Sequence, residues 1–283
     1  MMLSRRDLGG GLAAAAAVRR RGSDRATPTP APGPAREPNL ARILRTKRLR
    51  IAGLIGEEPY SYKDPATGRW GGLWVTMALN LATELGVELT VTESSWPALP
   101  ADTQTSNIDL SYLSPTAQRG MFVDFADPLF YDTYAVLMRK GFAPKNWAEL
   151  NVPESLVAVD IGSAREETAR RFAGNAAITG FKTRDEAVQA VQSGRADCFV
   201  ATVFFALTAL KKNPEVGELI VPTPHLRAAV CPGVPYDDDR RFRGTVDAWV
   251  EDNRGIGRIR EWIETSLDKF GVAASDLPPD VSY

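Results

Sequence analysis

The hydrophobic period changes twice between residues 49 and 92, and that change limits the fold more than any other feature of the 283-residue chain. Leu49, Ile51 and Leu54 mark a short strand-like run that ends on Gly56. After a polar turn at 63–68, Leu73, Met77, Leu81 and Leu85 stand four apart, the spacing of an amphipathic helix, and Gly86 stops it. Residues 87–92 then alternate as a half-buried strand. Strand, helix and strand in that order make a βαβ unit with a parallel pair.

A second series follows. Residues 156–160 read as a buried strand, and Gly162 and Ser163 turn the chain into a helix running to about Phe172. Thr183 and Glu186 form a capping box that opens another helix, which ends at Ser193 and Gly194. Residues 198–203 are again strand-like. The halves echo one another: residues 104–109 end on Asp109 before the strand 110–113, and residues 192–197 end on Asp197 before the strand 198–203. The echo suggests two α/β lobes of similar construction. Past Pro224 come a strand at 226–231 and two helices, at about 239–252 and 256–270, with Val246, Trp249, Ile259, Trp262, Ile263 and Leu267 on their apolar faces. Two lobes with a late return of the chain imply a cleft, where small ligands bind.

Composition removes several alternatives. The balance of 34 basic against 35 acidic residues gives a formal charge of −1, so a nucleic-acid partner has no support. One histidine, His225, and two cysteines exclude a zinc cluster, a disulfide scaffold and a catalytic triad assisted by a second His. A Cys198–Cys231 bridge is open to the chain, but both sit in apolar, strand-like runs, where two buried free thiols are expected. No Gly-rich phosphate loop follows a strand, which leaves dinucleotide, kinase and redox readings without parts, and no cofactor is expected.

The first forty residues differ in kind. Arg5 and Arg6 precede a short Ala-rich apolar run at 9–18, the pattern of an export signal, and the adjacent arginines point to the twin-arginine route. The run is too short to span a bilayer. Arg19, Arg20 and Arg21 stand where a clean cleavage site is expected, and basic residues there disfavour the general secretory route. A disordered basic N-terminus on a cytoplasmic protein is the plain alternative. Residues 26–37, rich in Pro, Ala and Thr, read as an extended linker.

Residues 116–128 carry Thr116, Arg119, Val123, Asp124, Phe125 and Pro128 in the register of a T-P-E-R-x-x-x-V-D-F-S-x-P-Y signature. Glu58 to Tyr62 match a P-P-F-x-F turn, Gly71 and Gly72 precede the first helix, and Trp96 and Leu99 are spaced correctly from Asp109. With this ordered set, the chain resembles the bacterial extracellular solute-binding proteins of family 3, the amino-acid receptors of ABC importers, over about residues 49–271. The resemblance implies an α/β, two-lobed periplasmic-binding-protein fold of type II, with the ligand cleft between the lobes and two crossover segments. It assigns Arg119 to the ligand carboxylate, to which a guanidinium offers a matched planar fork; a surface arginine paired with Asp124 or Asp127 is the plainer reading. Ser114 and Thr116 match positions facing the ligand and propping its loop. Ser163 and Ala164 occupy the turn whose amides suit an anionic group at a helix N-terminus, where Ser163 could equally be an ordinary N-cap. Tyr60 matches an aromatic wall, or is a core aromatic.

The sequence departs from the family where the acid that grips a ligand's amino group should stand. Thr202 is there, and threonine supplies no counter-charge to a buried ammonium. The two acids of the first-helix pattern are absent from residues 72–76, and the stretch 109–119 is about two residues short. A carboxylate without a cationic amine, or an amine met by Glu57 or Glu58, fits these departures.

The expected protein is a monomeric periplasmic receptor, with residues 1–40 as signal and linker, 41–131 plus 225–283 as one lobe, and 132–224 as the other. Its partners are a small-molecule ligand and an ABC permease in the cytoplasmic membrane, or a sensory receptor in place of the permease. The resemblance also extends to periplasmic cyclohexadienyl dehydratases, enzymes acting on prephenate or arogenate. Glu166 would then be the catalytic acid or base, although Glu in the first turn of a helix is favoured by the dipole alone.

Overall fold

In a computed structural model of the chain, residues 37–279 and 281 are described. The export-signal reading and most of the linker lie outside the described residues. Among the described residues no helix is long and apolar enough to cross a membrane.

The first βαβ unit forms as the hydrophobic pattern predicts. Strands Arg48–Gly53 and Glu88–Glu93 pair in parallel, in register from Arg48↔Glu88 to Gly53↔Glu93, with helix Leu73–Glu84 between them. That helix starts at Gly72, whose φ is +109° and where an added Cβ would lie 2.5 Å from the Tyr60 carbonyl oxygen. The amides of Leu73 and Trp74 can therefore bond the carbonyls of Pro59 and Tyr60 (both 2.9 Å), which ties the Tyr60 turn to the helix start.

Strands Tyr62–Lys63 and Trp70–Gly71 pair as a short hairpin, and eight further strands build a mixed sheet. Its central members are Phe130–Met138 and Arg227–Pro235, nine residues each and antiparallel where Thr133 meets Arg227. Toward one end Arg227–Pro235 pairs with Ser111–Leu113 and Val123–Phe125; toward the other, Phe130–Met138 pairs with Cys198–Thr202 and Glu218–Ile220. Cys198–Thr202 then pairs in parallel with Leu156–Asp160, which pairs in parallel with Ala177–Phe181. Each of the two long strands is thus paired with the other and with two further strands of the sheet. From Tyr134 onward, alternate residues of Phe130–Met138 enter different cores: Ala135 and Leu137 join the larger one, Tyr134, Val136 and Met138 the smaller, with Trp147, Val157 and Val200. Burial on both faces explains its nearly unbroken apolar run.

The Asp109/Asp197 echo has a physical cause. The Asp109 amide donates to the Arg50 carbonyl (2.8 Å) while its carboxylate accepts from the Arg50 amide (2.9 Å). Asp197 clips Leu156 in the same way, at 2.7 and 2.8 Å. Asp109 also takes Arg42 and Arg50, and Asp197 takes Arg139. An aspartate at this point satisfies both main-chain groups at the edge of a parallel strand, a device used once in each half.

Helices Ala164–Phe172 and Arg184–Gln192 open on Ser163 and the Thr183–Glu186 capping box. The last two helices run Arg241–Gly255 and Arg258–Asp268, within three residues of their expected bounds, and stack Trp249 on Trp262 at 5.9 Å. Cys198 and Cys231 are free and buried. Helix Val203–Lys212 was not legible: its first turn, Val203 to Ala206, is apolar on every face, and all four residues are buried.

Candidate functional site

Tyr60, Trp74, Trp96, Tyr112, Ser114, Arg119 and Asp132 converge with Ala164, Arg165, Arg184 and Thr202 around a small internal cavity. Its room is about 20 Å³, enough for about one water and far less than an amino acid needs. Two larger recesses adjoin it: one of about 370 Å³ beside Trp96, Pro97, Gln118 and Arg119, and one of about 430 Å³ beside Ser114, Thr116, Tyr134 and Ala164.

Arg119 is buried at 6% exposure on a single turn of 3₁₀ helix, Arg119–Met121. It pairs with neither Asp124 nor Asp127. Its Nη1 donates to the Ser114 carbonyl and its Nη2 to the Gly162 carbonyl, both at 2.9 Å. Among the described residues no carboxylate forms an ion pair with it. Burial, then the like charge of Arg165, pull its pKa down, the signature of a cation held without its counter-ion. Thr116 accepts the Arg119 amide at 3.2 Å and so props the turn, while Ser114 lines the cavity.

Across the cavity, Gly162 (φ +76°) turns the chain against Pro97, where a Cβ would lie 3.0 Å from the proline ring. Ser163 is an N-cap, accepting from the Glu166 amide at 3.2 Å and donating to Asp160 Oδ1 at 2.6 Å. It does not line the cavity, whereas Ala164 does. Glu166 accepts from the Gly162 amide (2.7 Å) and pairs with Arg170 (2.8 Å), folded back over its own helix start and away from the cavity.

Behind the cavity wall lies a buried ionic cluster absent from the sequence reading. Asp160 receives Arg165 at 2.8 Å and Arg184 at 3.2 Å. Arg184, 1% exposed, also brings Nη2 to 2.9 Å from Glu57 Oε2, an ion pair off the direction of a hydrogen bond. Trp96 Nε1 donates to Glu57 Oε1 at 2.8 Å. Arg165 stacks on Trp96 (4.9 Å) and Arg184 on Phe205 (4.7 Å), planar contacts that lysine does not reproduce. Burial would raise the Asp160 carboxyl, but the two guanidiniums outweigh it and hold it well below the usual range. At Glu57 burial wins over Arg184 and lifts the carboxyl to about 7. Glu57 is therefore committed to the cluster, and Glu58 pairs with Lys212 at 3.0 Å outside the cavity; neither faces it.

The carboxyl that does face the cavity is Asp132, 5% exposed on the strand Phe130–Met138. Tyr60 Oη donates to its Oδ2 at 2.5 Å and lies 2.8 Å from Thr202 Oγ1. Burial raises Asp132 to about 6 against the Tyr60 hydrogen bond, Arg165 and Arg184. Its one sequence signal is an acid inside an apolar strand.

Six buried side-chain polar atoms lack a hydrogen-bond partner among the described residues. Four of them, Trp74 Nε1, Tyr112 Oη, Asp132 Oδ1 and Arg184 Nη1, belong to residues lining this one cavity. Each such atom costs roughly 1–3 kcal/mol. Folded proteins satisfy nearly all such groups, so their concentration here marks a place built for another molecule.

The family described as bacterial extracellular solute-binding proteins, family 3, matches residues 49–153. The chain is 27% identical over 247 residues to the cyclohexadienyl dehydratase of Pseudomonas aeruginosa, an alignment covering 83% of this chain and 88% of that one. It is 25% identical over 183 residues to the arginine-binding extracellular protein ArtP of Bacillus subtilis, covering 62% and 69%. Among solved structures it is similar to the ancestral amino acid-binding protein AncCDT-1, a precursor of cyclohexadienyl dehydratase, at a TM-score of 0.73 and 28% identity over 81% of this chain and 99% of that one.

Proposed function

We propose that this chain, which belongs to the bacterial extracellular solute-binding proteins of family 3, captures a small carboxylate-bearing molecule, an amino acid or related organic acid, in the cavity beside Arg119. The observation that carries the reading is Arg119 itself: a buried guanidinium that lines the cavity and whose hydrogen-bond acceptors among the described residues are main-chain carbonyls. A ligand carboxylate is the partner such a group lacks, and the Ser114 and Gly162 carbonyls hold its fork in one plane for it. Ser114, Tyr60, Ala164 and Thr202 form the surrounding wall; Thr116 and Ser163 act from behind, one on the Arg119 turn and one on the Gly162 turn.

We take residues 41–131 plus 225–283 as one lobe and 132–224 as the other, closing about the two long strands, with a monomer as the working unit. Export follows from Arg5, Arg6 and the apolar run behind them, by the twin-arginine route into the periplasm, where the receptor hands its ligand to an ABC permease. A dehydratase is the second reading, favoured by the likeness to the Pseudomonas enzyme. Glu166, its candidate acid, is engaged by Gly162 and Arg170, so turnover of prephenate by the purified protein is not expected.

The test is calorimetric titration with amino acids and small organic acids. Truncating one partner of a desolvated charge pair costs about 2–5 kcal/mol, so Arg119→Ala lowers affinity roughly thirtyfold to several thousandfold. Arg119→Lys keeps the charge without the fork and falls between. Binding by Arg119→Ala within a few-fold of the wild type would overturn the reading.

A further inference from the structure

We propose that Glu57 is a proton-operated latch between the two lobes: the cleft shuts on protonated Glu57, and opening releases that proton. The proposal rests on the lobe division and closing motion taken above, and on no property of the ligand.

The buried ionic cluster divides unequally at the cleft. Asp160, Arg165 and Arg184 all belong to the 132–224 lobe, where Asp160 receives both guanidiniums and the Ser163 hydroxyl, the last at 2.6 Å. These groups travel together, so Asp160 keeps its partners whether the cleft is open or shut. Glu57 comes from the other lobe and crosses to Arg184 at 2.9 Å. From its own lobe it has the Trp96 indole as donor, at 2.8 Å. Opening therefore exchanges the whole far side of Glu57 for water. Arg184 is itself placed for this contact rather than for its helix. It opens the helix Arg184–Gln192, where the positive end of the macrodipole disfavours a cation.

The shut form serves an ionised Glu57 poorly. Its Oε2 accepts no hydrogen bond among the described residues, and the guanidinium beside it is shared with Asp160, whose like charge opposes a second carboxylate. Burying an ion so sparsely bonded is costly. The protonated acid keeps the Trp96 hydrogen bond and sheds the charge, whereas in the open form water solvates both oxygens of the ion. The charged groups facing Glu57 are Arg184, Asp160 and Arg165. On the outer side of the same junction stand Asp185 and the pair of Glu58 with Lys212, which is partly exposed and adds little.

The sign follows. Burial holds Glu57 at about 7 in the shut form, against 4.5 in water. The shut form binds more protons, so closure weakens as pH rises from about 4.5 to about 7 and levels off beyond. From pH 6 to pH 8 the shut-to-open ratio falls about tenfold through Glu57. Asp132, at about 6, adds about twofold in the same direction. A ligand held by the shut form weakens by the same factors.

Small-angle scattering of the full ligand-free chain at pH 6 and pH 8 tests the latch, with circular dichroism to show that the chain stays folded at both. The wild type is expected to have the larger radius of gyration at pH 8. Glu57→Gln keeps a neutral side chain of the same shape and is expected to lose most of that expansion. Carbon-13 NMR of the wild-type Glu57 carboxyl is expected to show titration over the same range, which needs no variant. An equal or smaller radius at pH 8 in the wild type, an undiminished expansion in folded Glu57→Gln, or a Glu57 carboxyl already ionised at pH 6 overturns the latch. No ligand enters these measurements, so their failure leaves the carboxylate reading of Arg119 standing, and failure of that reading leaves the latch standing.

Discussion

Burial raises the free energy of both Asp160 and Glu57 as ions, yet their carboxyls move in opposite directions because Asp160 has two guanidiniums and Glu57 shares one. The consequence for stability can be worked through in sign. Glu57 sits near 4.5 in an unfolded chain and at about 7 when folded. Between those values the folded chain holds a proton that the unfolded chain has released, so stability falls as pH rises. The Glu57 contribution is complete below about 4.5 and gone above about 7. Asp160 acts oppositely, losing its contribution only as pH falls below the usual carboxylate range. The ligand-free protein should therefore melt at lower temperature at pH 8 than at pH 5.5, and Glu57→Gln should flatten that slope; thermal denaturation of both across this range checks it. A slope unaltered in Glu57→Gln would place the titration elsewhere.

At the scale of elements, local rules account for where helices begin. Thr183 accepts the Glu186 amide at 3.2 Å while Glu186 reaches back to the Thr183 amide, the reciprocal cap that the T-x-x-E spacing predicts. Removing it by Thr183→Ala should cost about 1 kcal/mol, roughly 2–4 °C in Tm for a domain of this size, with ligand affinity within twofold. The next residue is Arg184, so this cap also sets the entry of the guanidinium that joins Glu57 to Asp160. A larger loss in Thr183→Ala, with a changed pH slope, would show that the cap positions the ionic cluster as well as the helix. The helix Leu73–Glu84 and the strands Leu156–Asp160 and Cys198–Thr202 were legible for a related reason: each satisfies its own period and ends on its own stop signal. Strand Ala177–Phe181 carries no such alternation, being exposed or half-buried along its length, and was not read.

Over the whole molecule, the room beside Arg119 is about 20 Å³, so an amino acid enters only if the walls part. The walls come from different parts of the chain, with Tyr60, Trp74 and Trp96 on one side and Ala164, Arg165 and Arg184 on the other. The strands Phe130–Met138 and Arg227–Pro235 are the long covalent links between them. In the proposed closure, opening would break the Arg119–Gly162 hydrogen bond and the Arg184–Glu57 pair, and closing on ligand would restore both. Small-angle scattering should show a smaller radius of gyration at saturating ligand than without it. An identical profile in both states would remove closure from the mechanism.

The sequence by itself determined the first βαβ unit and the capped helices, because periodicity and caps are properties of neighbours in the chain, and its ordered signature pointed to Arg119. It also showed the vacancy of an acid at Thr202. The tertiary structure alone decided which carboxyl faces the cavity. Glu57 and Glu58 were the visible acids near the Tyr60 turn, but Glu57 is drawn to Arg184 and Trp96, and Glu58 to Lys212. Asp132, in an apolar strand 72 residues from Tyr60, is brought to its hydroxyl only by tertiary packing. Whether a buried charge is paired or left over depends on which distant side chains share its volume, and no local pattern in a chain encodes that sum.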